Sequence, residues 1–298
     1  MGRGLYEIVG WSFADPQLLD RLLLPDDHEM RRVVRLENPM SEAQSIMRPT
    51  LLGSLLDVGA HNVSRNGPDV AIFESGTVYR AAVAAPGSLP TEEHHALGAL
   101  ISGALSPRSW RGEQVQADFF AAKAVVAAVM EKLRVRWSVE PAGFPFLHPG
   151  RSAAVLAAGG RVGFLGELHP LVAGTWEVPR TAAFDIDLDR VVAASPEALE
   201  FKPFPAVPSL RQDLAVRLPE TIAAAVVLER VREAAGPVLE DVEVFDVYSG
   251  EQVGAGNRSL ALALSFRAGD RTLTDEDVAP VRERIVAALR GLGGELRG

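Results

Sequence analysis

An aspartate and a tyrosine two residues apart, Asp246 and Tyr248, close an apolar run that reads as a β-strand. Side chains two apart on a strand share a face, so a carboxylate acceptor and an aromatic ring would stand together on one side of a sheet. Such a pair is a minimal kit for holding an unpaired nucleobase, the acid taking hydrogen bonds from the base edge and the ring stacking on its plane. The competing structural reading has Asp246 cap the turn before Gly250 and Tyr248 plug the end of the sheet.

Other candidate chemistry is thinner. Arg161, Gly163 and Gly166 lie in a glycine-rich stretch that resembles a phosphate cradle, but a strand follows it rather than a helix, which favours a hairpin. His94, His95, His148 and His169 have no cysteine partners and no HExxH frame, so no metal site is expected. No Gly-x-Ser-x-Gly elbow is present. The acids Asp275, Glu276 and Asp277 fit the first turn of a helix, where the macrodipole favours negative charge.

The elements that must position Asp246 and Tyr248 follow from the periodicities downstream of a proline-rich segment at 195–208, where a domain boundary is expected near residue 200. Leu214, Val216 and Leu218 alternate with polar or small residues as a first strand, and a helix is expected over 221–235 with Ile222, Val226 and Val231 on its apolar side. Gly236-Pro237 stops it. In the second strand, strict alternation puts Val242, Val244, Asp246 and Tyr248 on one side, with Phe245 and Val247 on the other. The inward face is ambiguous. A third strand buries Leu260, Leu262, Leu264 and Phe266; a capping-box spacing at Thr274 and Asp277 opens a second helix, although Pro280 would suit a later start; 295–297 returns as a short edge strand. The order βαββαβ is the ferredoxin-like plan, with both helices on one face of the sheet and the other face open.

Upstream, Thr50 caps a helix carrying Leu52, Leu55, Leu56 and Val63 on a wide apolar face, ended by Asn66-Gly67-Pro68. Strands are expected at 70–74, 95–104, 135–140, 153–158, 161–168 and 183–188, with a helix at 119–133 and a two-residue hairpin turn at Gly159-Gly160. Helices among hairpin-linked strands indicate an α+β class, with domains at 1–200 and 201–298.

Composition narrows the function classes. A chain of 298 residues, 47% apolar, holds two cores, and no apolar run reaches the roughly 18 residues of a membrane span. Without cysteine there is no disulfide framework, thiolate nucleophile or Cys-based zinc site, and the start lacks a secretory core, so a cytoplasmic protein with no membrane partner is expected. A formal charge of −9 argues against broad adhesion to nucleic acid. Any RNA contact must be local.

Ten runs carry a resemblance: GLYEIVGWSF (4–13), LENPMSEAQSIMRPTLLGSLL (36–56), FESGTVY (73–79), DFFAAKAVV (118–126), FLHPGRSA (146–153), GELHP (166–170), RQDLAV (211–216), FDVYSGEQVG (245–254), SLALALSFR (259–267) and RTLTDEDV (271–278). In that order, along nearly the whole chain, they resemble the C-terminal part of the beta subunit of bacterial phenylalanyl-tRNA synthetase. The resemblance implies a class II synthetase-like domain that has lost its chemistry, followed by a ferredoxin-fold anticodon-binding domain. It implies a heterotetramer of two alpha and two beta chains, in which the alpha subunit uses ATP and Mg²⁺ to charge tRNA(Phe). A full beta subunit carries further N-terminal modules, so the chain is expected to be an excised or truncated part of one.

Within that resemblance no residue of this chain is expected to be catalytic, and no cofactor is expected here. Class II enzymes neutralise the α-phosphate with an Arg-x-Glu strand and a second arginine at a glycine-rich helix start. DVAIFESGTVYR offers Glu74 without the arginine two residues before it, and GGRVGFLGELHP has a hairpin where the helix belongs. The helix bearing Leu52, Leu55, Leu56 and Val63 matches the subunit-interface motif and is expected to face the alpha subunit, the alternative being burial inside its own domain, since wide apolar faces are common in cores. The anticodon contacts carry over to Asp246, Tyr248 and Ser259, with guanine as the base read. Arg211 and Arg258 are added, by position alone, as phosphate contacts. From Pro203 onward there are eleven arginines against fifteen carboxylates, so intrinsic RNA affinity is expected to be weak. The rival expectation is a structural or protein-interaction module that binds no RNA.

Overall fold

Hairpin-linked strands with helices between them fold, in the first of two units, into a seven-stranded sheet. The structure is a computed structural model and describes residues 2–82, 91–105, 110, 114–198, 201 and 205–297. The chain divides into units Met1–Leu199 and Glu200–Gly298. The boundary expected near residue 200 falls among 199–200 and 202–204, outside the described residues.

The first unit runs β1 (Tyr6–Glu7), β2 (Phe13–Ala14), α1 (Leu18–Arg21), β3 (Ile46–Met47), α2 (Leu52–Asn66), β4 (Val70–Ala81), β5 (Thr91–Ser102), α3 (Phe119–Leu133), β6 (Trp137–Pro141), β7 (Leu147–Ala157), β8 (Gly160–Leu168), α4 (Pro170–Thr175), β9 (Thr181–Asp187) and α5 (Leu188–Ala193). The sheet order is β1-β4-β5-β9-β8-β7-β6, with β1 and β4 parallel and every other pair antiparallel. Strand β4 continues past the expected end at Glu74, because β5 pairs with it through the polar stretch Ser75, Gly76 and Thr77. The β7–β8 turn is Ala158-Gly159 rather than Gly159-Gly160, and both residues have positive φ, +51° and +76°, as a tight hairpin of this twist requires.

Helix α2 packs on one face of the sheet against β4, β5 and β9, while α3 and α5 cover the other. It is also covered from outside: Leu18 of α1 closes over Gly53, and Trp176 donates its indole N–H to Asp57 at 2.7 Å. The helix start is pinned to β9, since the buried Asp185 carboxylate accepts from the Thr50 hydroxyl at 2.6 Å and the Leu51 amide at 3.0 Å. Thr50 in turn accepts from the Leu52 amide at 3.1 Å, the capping expected of it.

The second unit runs β10 (Leu210–Pro219), α6 (Ala224–Ala235), β11 (Leu239–Tyr248), β12 (Asn257–Phe266), α7 (Asp275–Gly291) and β13 (Glu295–Arg297). Its antiparallel sheet has the order β11-β12-β10-β13, the ferredoxin-like arrangement. Leu214, Val216 and Leu218 of β10 face Leu262, Leu260 and Arg258 across β12, and the apolar members of this set are buried with α6 and α7. Helix α6 starts three residues later than expected. Its buried stripe is therefore Val227, Val231 and Ala235, while Val226 is exposed. Helix α7 starts at Asp275 with the full Thr274–Asp277 capping box, so Pro280 sits inside it rather than at its start.

Among the described residues, no helix is long and apolar enough to cross a membrane.

Candidate functional site

Pairing in the second unit decides which way Asp246 and Tyr248 point. Val242 and Val244 of β11 sit opposite Leu264 and Leu262, on the helix-covered side. Continued alternation would set Asp246 opposite Leu260, facing the helices. Instead the register shifts between Val244 and Asp246, leaving Phe245 as an unpaired extra residue. This is a β-bulge, which reverses the phase of all that follows. Asp246 now pairs with Ala261 and Tyr248 with Ser259, on the helix-free face, and Val247 takes the place opposite Leu260. The expectation that Asp246 and Tyr248 share a side with Val242 and Val244 is thus corrected.

The bulge makes an unusual deletion result calculable from the register alone. Removing Phe245 leaves Asp246 opposite Ala261, so the second unit is expected to stay folded with Tyr248 still near Arg297. Removing Val247 brings Tyr248 opposite Leu260 and turns the phenol toward the helices. Nuclear Overhauser contacts from the Tyr248 ring, to Arg297 in the first variant and to the helix-side core in the second, check both.

Around Tyr248 the open face is furnished. The ring is 40% exposed, and the Arg297 guanidinium carbon lies 5.8 Å from its centroid, within cation–π range. Arg297 is steadied by Gln252, its Nη2 donating to Oε1 at 3.3 Å. The phenol folds back over Gly250, where an added Cβ would lie 2.6 Å from the phenol oxygen, so only glycine admits this ring position. Beside Ser259 on the other neighbouring strand is Arg217, paired with Glu295 at 3.0 Å, its buried Nε without a hydrogen-bond partner among the described residues. Ala215 and Ala261, next along the face, leave room over the sheet beside Asp246.

The residues expected at the site divide. Asp246, Tyr248 and Ser259 are brought together, but Ser259 lies beneath its neighbours at 7% exposure. Arg211 shares the open face, paired with Ser265, four positions along β10 from Ala215 and so roughly 13 Å away. Arg258 is not part of the site. It pairs with Leu218 on the helix side and donates to the Ile222 carbonyl at 2.6 Å, because strand alternation puts it opposite in phase to Ser259. Arg217 and Arg297 were not singled out in the sequence, since their contribution depends on strands far from Tyr248 in the chain. The phase break at 244–247, with apolar residues at 242, 244, 245 and 247, was the one signal that a bulge was there.

The first unit holds a second correction. Leu52, Leu55 and Leu56 are at most 1% exposed inside their own core, and Val63 packs half-buried against it, so these side chains have almost no surface to offer another chain. The wide apolar face of α2 is explained by having layers on both sides. Glu74 is likewise spent: its carboxylate is paired with Arg48 at 2.5 Å and accepts from the Ser54 hydroxyl at 2.7 Å and the Gly10 amide at 3.0 Å. The position two residues before it is Ile72, in the core. Elsewhere Glu167 is clamped by Arg151 at 2.7 Å and Arg180 at 2.5 Å. Burial alone would raise that carboxyl, but the hydrogen bonds from Arg180 and Arg151 outweigh it and hold it below the usual glutamate range.

Comparison with known proteins adds two family matches. A family described as the phenylalanyl tRNA synthetase beta chain CLM domain matches residues 1–188, and the ferredoxin-fold anticodon binding domain matches 205–297. Among curated proteins, the phenylalanine–tRNA ligase beta subunit of Moorella thermoacetica is 42% identical over 299 residues, covering 99% of this chain and 36% of that protein. The same subunit of Symbiobacterium thermophilum is 41% identical over 99% of this chain and 33% of its own length. That of Geobacillus kaustophilus is 34% identical over 100% of this chain and 36% of its own. The chain spans about a third of the length of these relatives.

Proposed function

Because this chain belongs to the phenylalanine–tRNA ligase beta-subunit family, we propose that its second unit reads an unpaired base of the tRNA(Phe) anticodon. The first unit is a non-catalytic scaffold for the alpha subunit, in a cytoplasmic assembly of two alpha and two beta chains. The observation that carries the reading is the bulge at Phe245, which turns an acid and a phenol onto the helix-free face of that sheet. A guanine stacks on Tyr248 beside the Arg297 guanidinium, while Asp246 accepts from the N–H groups of its Watson–Crick edge. Arg211, farther along the same face, is placed for a neighbouring phosphate. Eleven arginines against fifteen carboxylates from Pro203 onward suit base discrimination rather than bulk affinity.

ATP and Mg²⁺ belong to the alpha subunit in this reading. Glu74 is saturated by Arg48, Ser54 and Gly10, and no arginine stands two residues before it, so the residues present do not fit an adenylate site at β4.

The test uses the full beta subunit assembled with its alpha partner and tRNA(Phe) transcripts carrying G or A at the first anticodon position. Tyr248→Ala is expected to weaken binding of both transcripts by about 1–3 kcal/mol, roughly 5- to 150-fold, because either purine stacks on the ring. Asp246→Asn should weaken the preference for G in the same assay. Unchanged affinity in the Tyr248 variant together with unchanged discrimination in the Asp246 variant would defeat the reading and favour a protein-binding face.

A further inference from the structure

A cleft of about 340 Å³ in the first unit has no part in this scheme. That volume is at the small end of ligand pockets. Arg80 reaches it from β4, Arg161 from β8 and Arg190 from the first turn of α5. The glycine-rich stretch around Arg161 is a hairpin, as expected, yet it still delivers its arginine to this wall.

The acids of the wall are already engaged. Glu29 lies between two of the arginines, 3.0 Å from Arg161 and 3.6 Å from Arg80. Asp185 is held by Thr50 and Leu51, and Asp187 caps α5 by accepting from the Arg190 amide at 2.9 Å. The donors are under-used. A guanidinium has five N–H groups, but Arg80 has only the long contact to Glu29, and its buried Nε has no hydrogen-bond partner among the described residues. His28 accepts from the Met30 amide through Nδ1 at 3.2 Å, and burial, with Arg80 and Arg161 nearby, lowers its pKa against the pull of Glu29. The neutral ring therefore carries its proton on Nε2, one more donor. The apolar side of the cleft includes Phe144 and Phe164, with ring centroids 5.4 Å apart.

We propose that this cleft binds a small oxyanion with an apolar body, its charged end among Arg80, Arg161 and Arg190 and its apolar end against Phe144 and Phe164. Glu29 acts as the intramolecular competitor, since its carboxylate sits where the ligand's would.

Calorimetric titration of the full chain with phenyl phosphate and with inorganic phosphate tests this. Phenyl phosphate should bind saturably and more tightly than inorganic phosphate. Arg80→Met and Arg161→Met should each weaken it about tenfold or more, the worth of a charged hydrogen bond. Glu29→Gln should tighten it several-fold, an effect that mere structural support by Glu29 would not give. Arg230→Met, on the exposed side of α6 in the other unit, should change nothing. In the unsubstituted protein the methyl resonances of Val78, in the cleft wall, should move during titration, which keeps the test valid if an arginine variant fails to fold. No saturable binding, binding indifferent to both arginines, or resonance shifts confined to other surfaces would overturn the proposal.

Discussion

Leu55→Asp is expected to leave the first unit unfolded. Leu55 is 0% exposed, in the core between α2 and the sheet, where its side chain packs over Gly98 of β5. Loss of the leucine side chain alone costs about 2–5 kcal/mol through transfer and cavity terms. A carboxylate in its place adds several kcal/mol, because nothing there pairs with it. Together these approach or exceed the roughly 5–15 kcal/mol that holds a domain folded. Leu55→Met, nearly equal in volume, should cost less than about 1.5 kcal/mol. Circular dichroism during urea titration separates the two variants. A Leu55→Asp protein that unfolds like the parent would mean that the residue faces solvent, and would restore α2 as a surface for the alpha subunit.

Glu74→Ala should destabilise the first unit by about 3–5 kcal/mol, since it strands the Arg48 cation in the interior. The side chains of this pair are only 6% and 2% exposed. The same change also orphans the Gly10 amide, and it leaves the Ser54 hydroxyl with only the Leu51 carbonyl, 3.0 Å away, as acceptor. The Arg48 Nε bond to the Thr77 carbonyl, 2.9 Å long, holds the cation in place and so prevents it from swinging out to water. The double variant Arg48→Met/Glu74→Leu should recover most of the loss, because it removes both charges at once. Equilibrium unfolding of the two variants is the check. Single and double variants that are equally unstable would show that packing, rather than the stranded charge, sets the cost.

These two residues also show how far the sequence could be read. The apolar stripe of α2 was plain from spacing, and so was its beginning at Thr50 and its end before Gly67. Which chain would bury that stripe was not, because a stripe has the same appearance whether it meets another subunit or its own sheet. The deciding partners, Leu18 on one side and β5 and β9 on the other, lie up to about 130 positions away. Glu74 was legible as the acid of a strand lacking its arginine. Its pairing with Arg48 was hidden, since 26 residues and a helix separate them.

At the open face the division is the same. Residue types, the βαββαβ order and the ten ordered runs were enough to determine the family, both folds and the pairing of an acid with a phenol. Local periodicity and composition carry that much. The direction in which Asp246 and Tyr248 point was decided only by tertiary structure, because a bulge exists only in relation to the strand opposite, and β12 alone shows that Phe245 is one residue too many. The same holds for Arg297, which meets Tyr248 from the far end of the chain, and for Arg258, which pairing with Leu218 turns away.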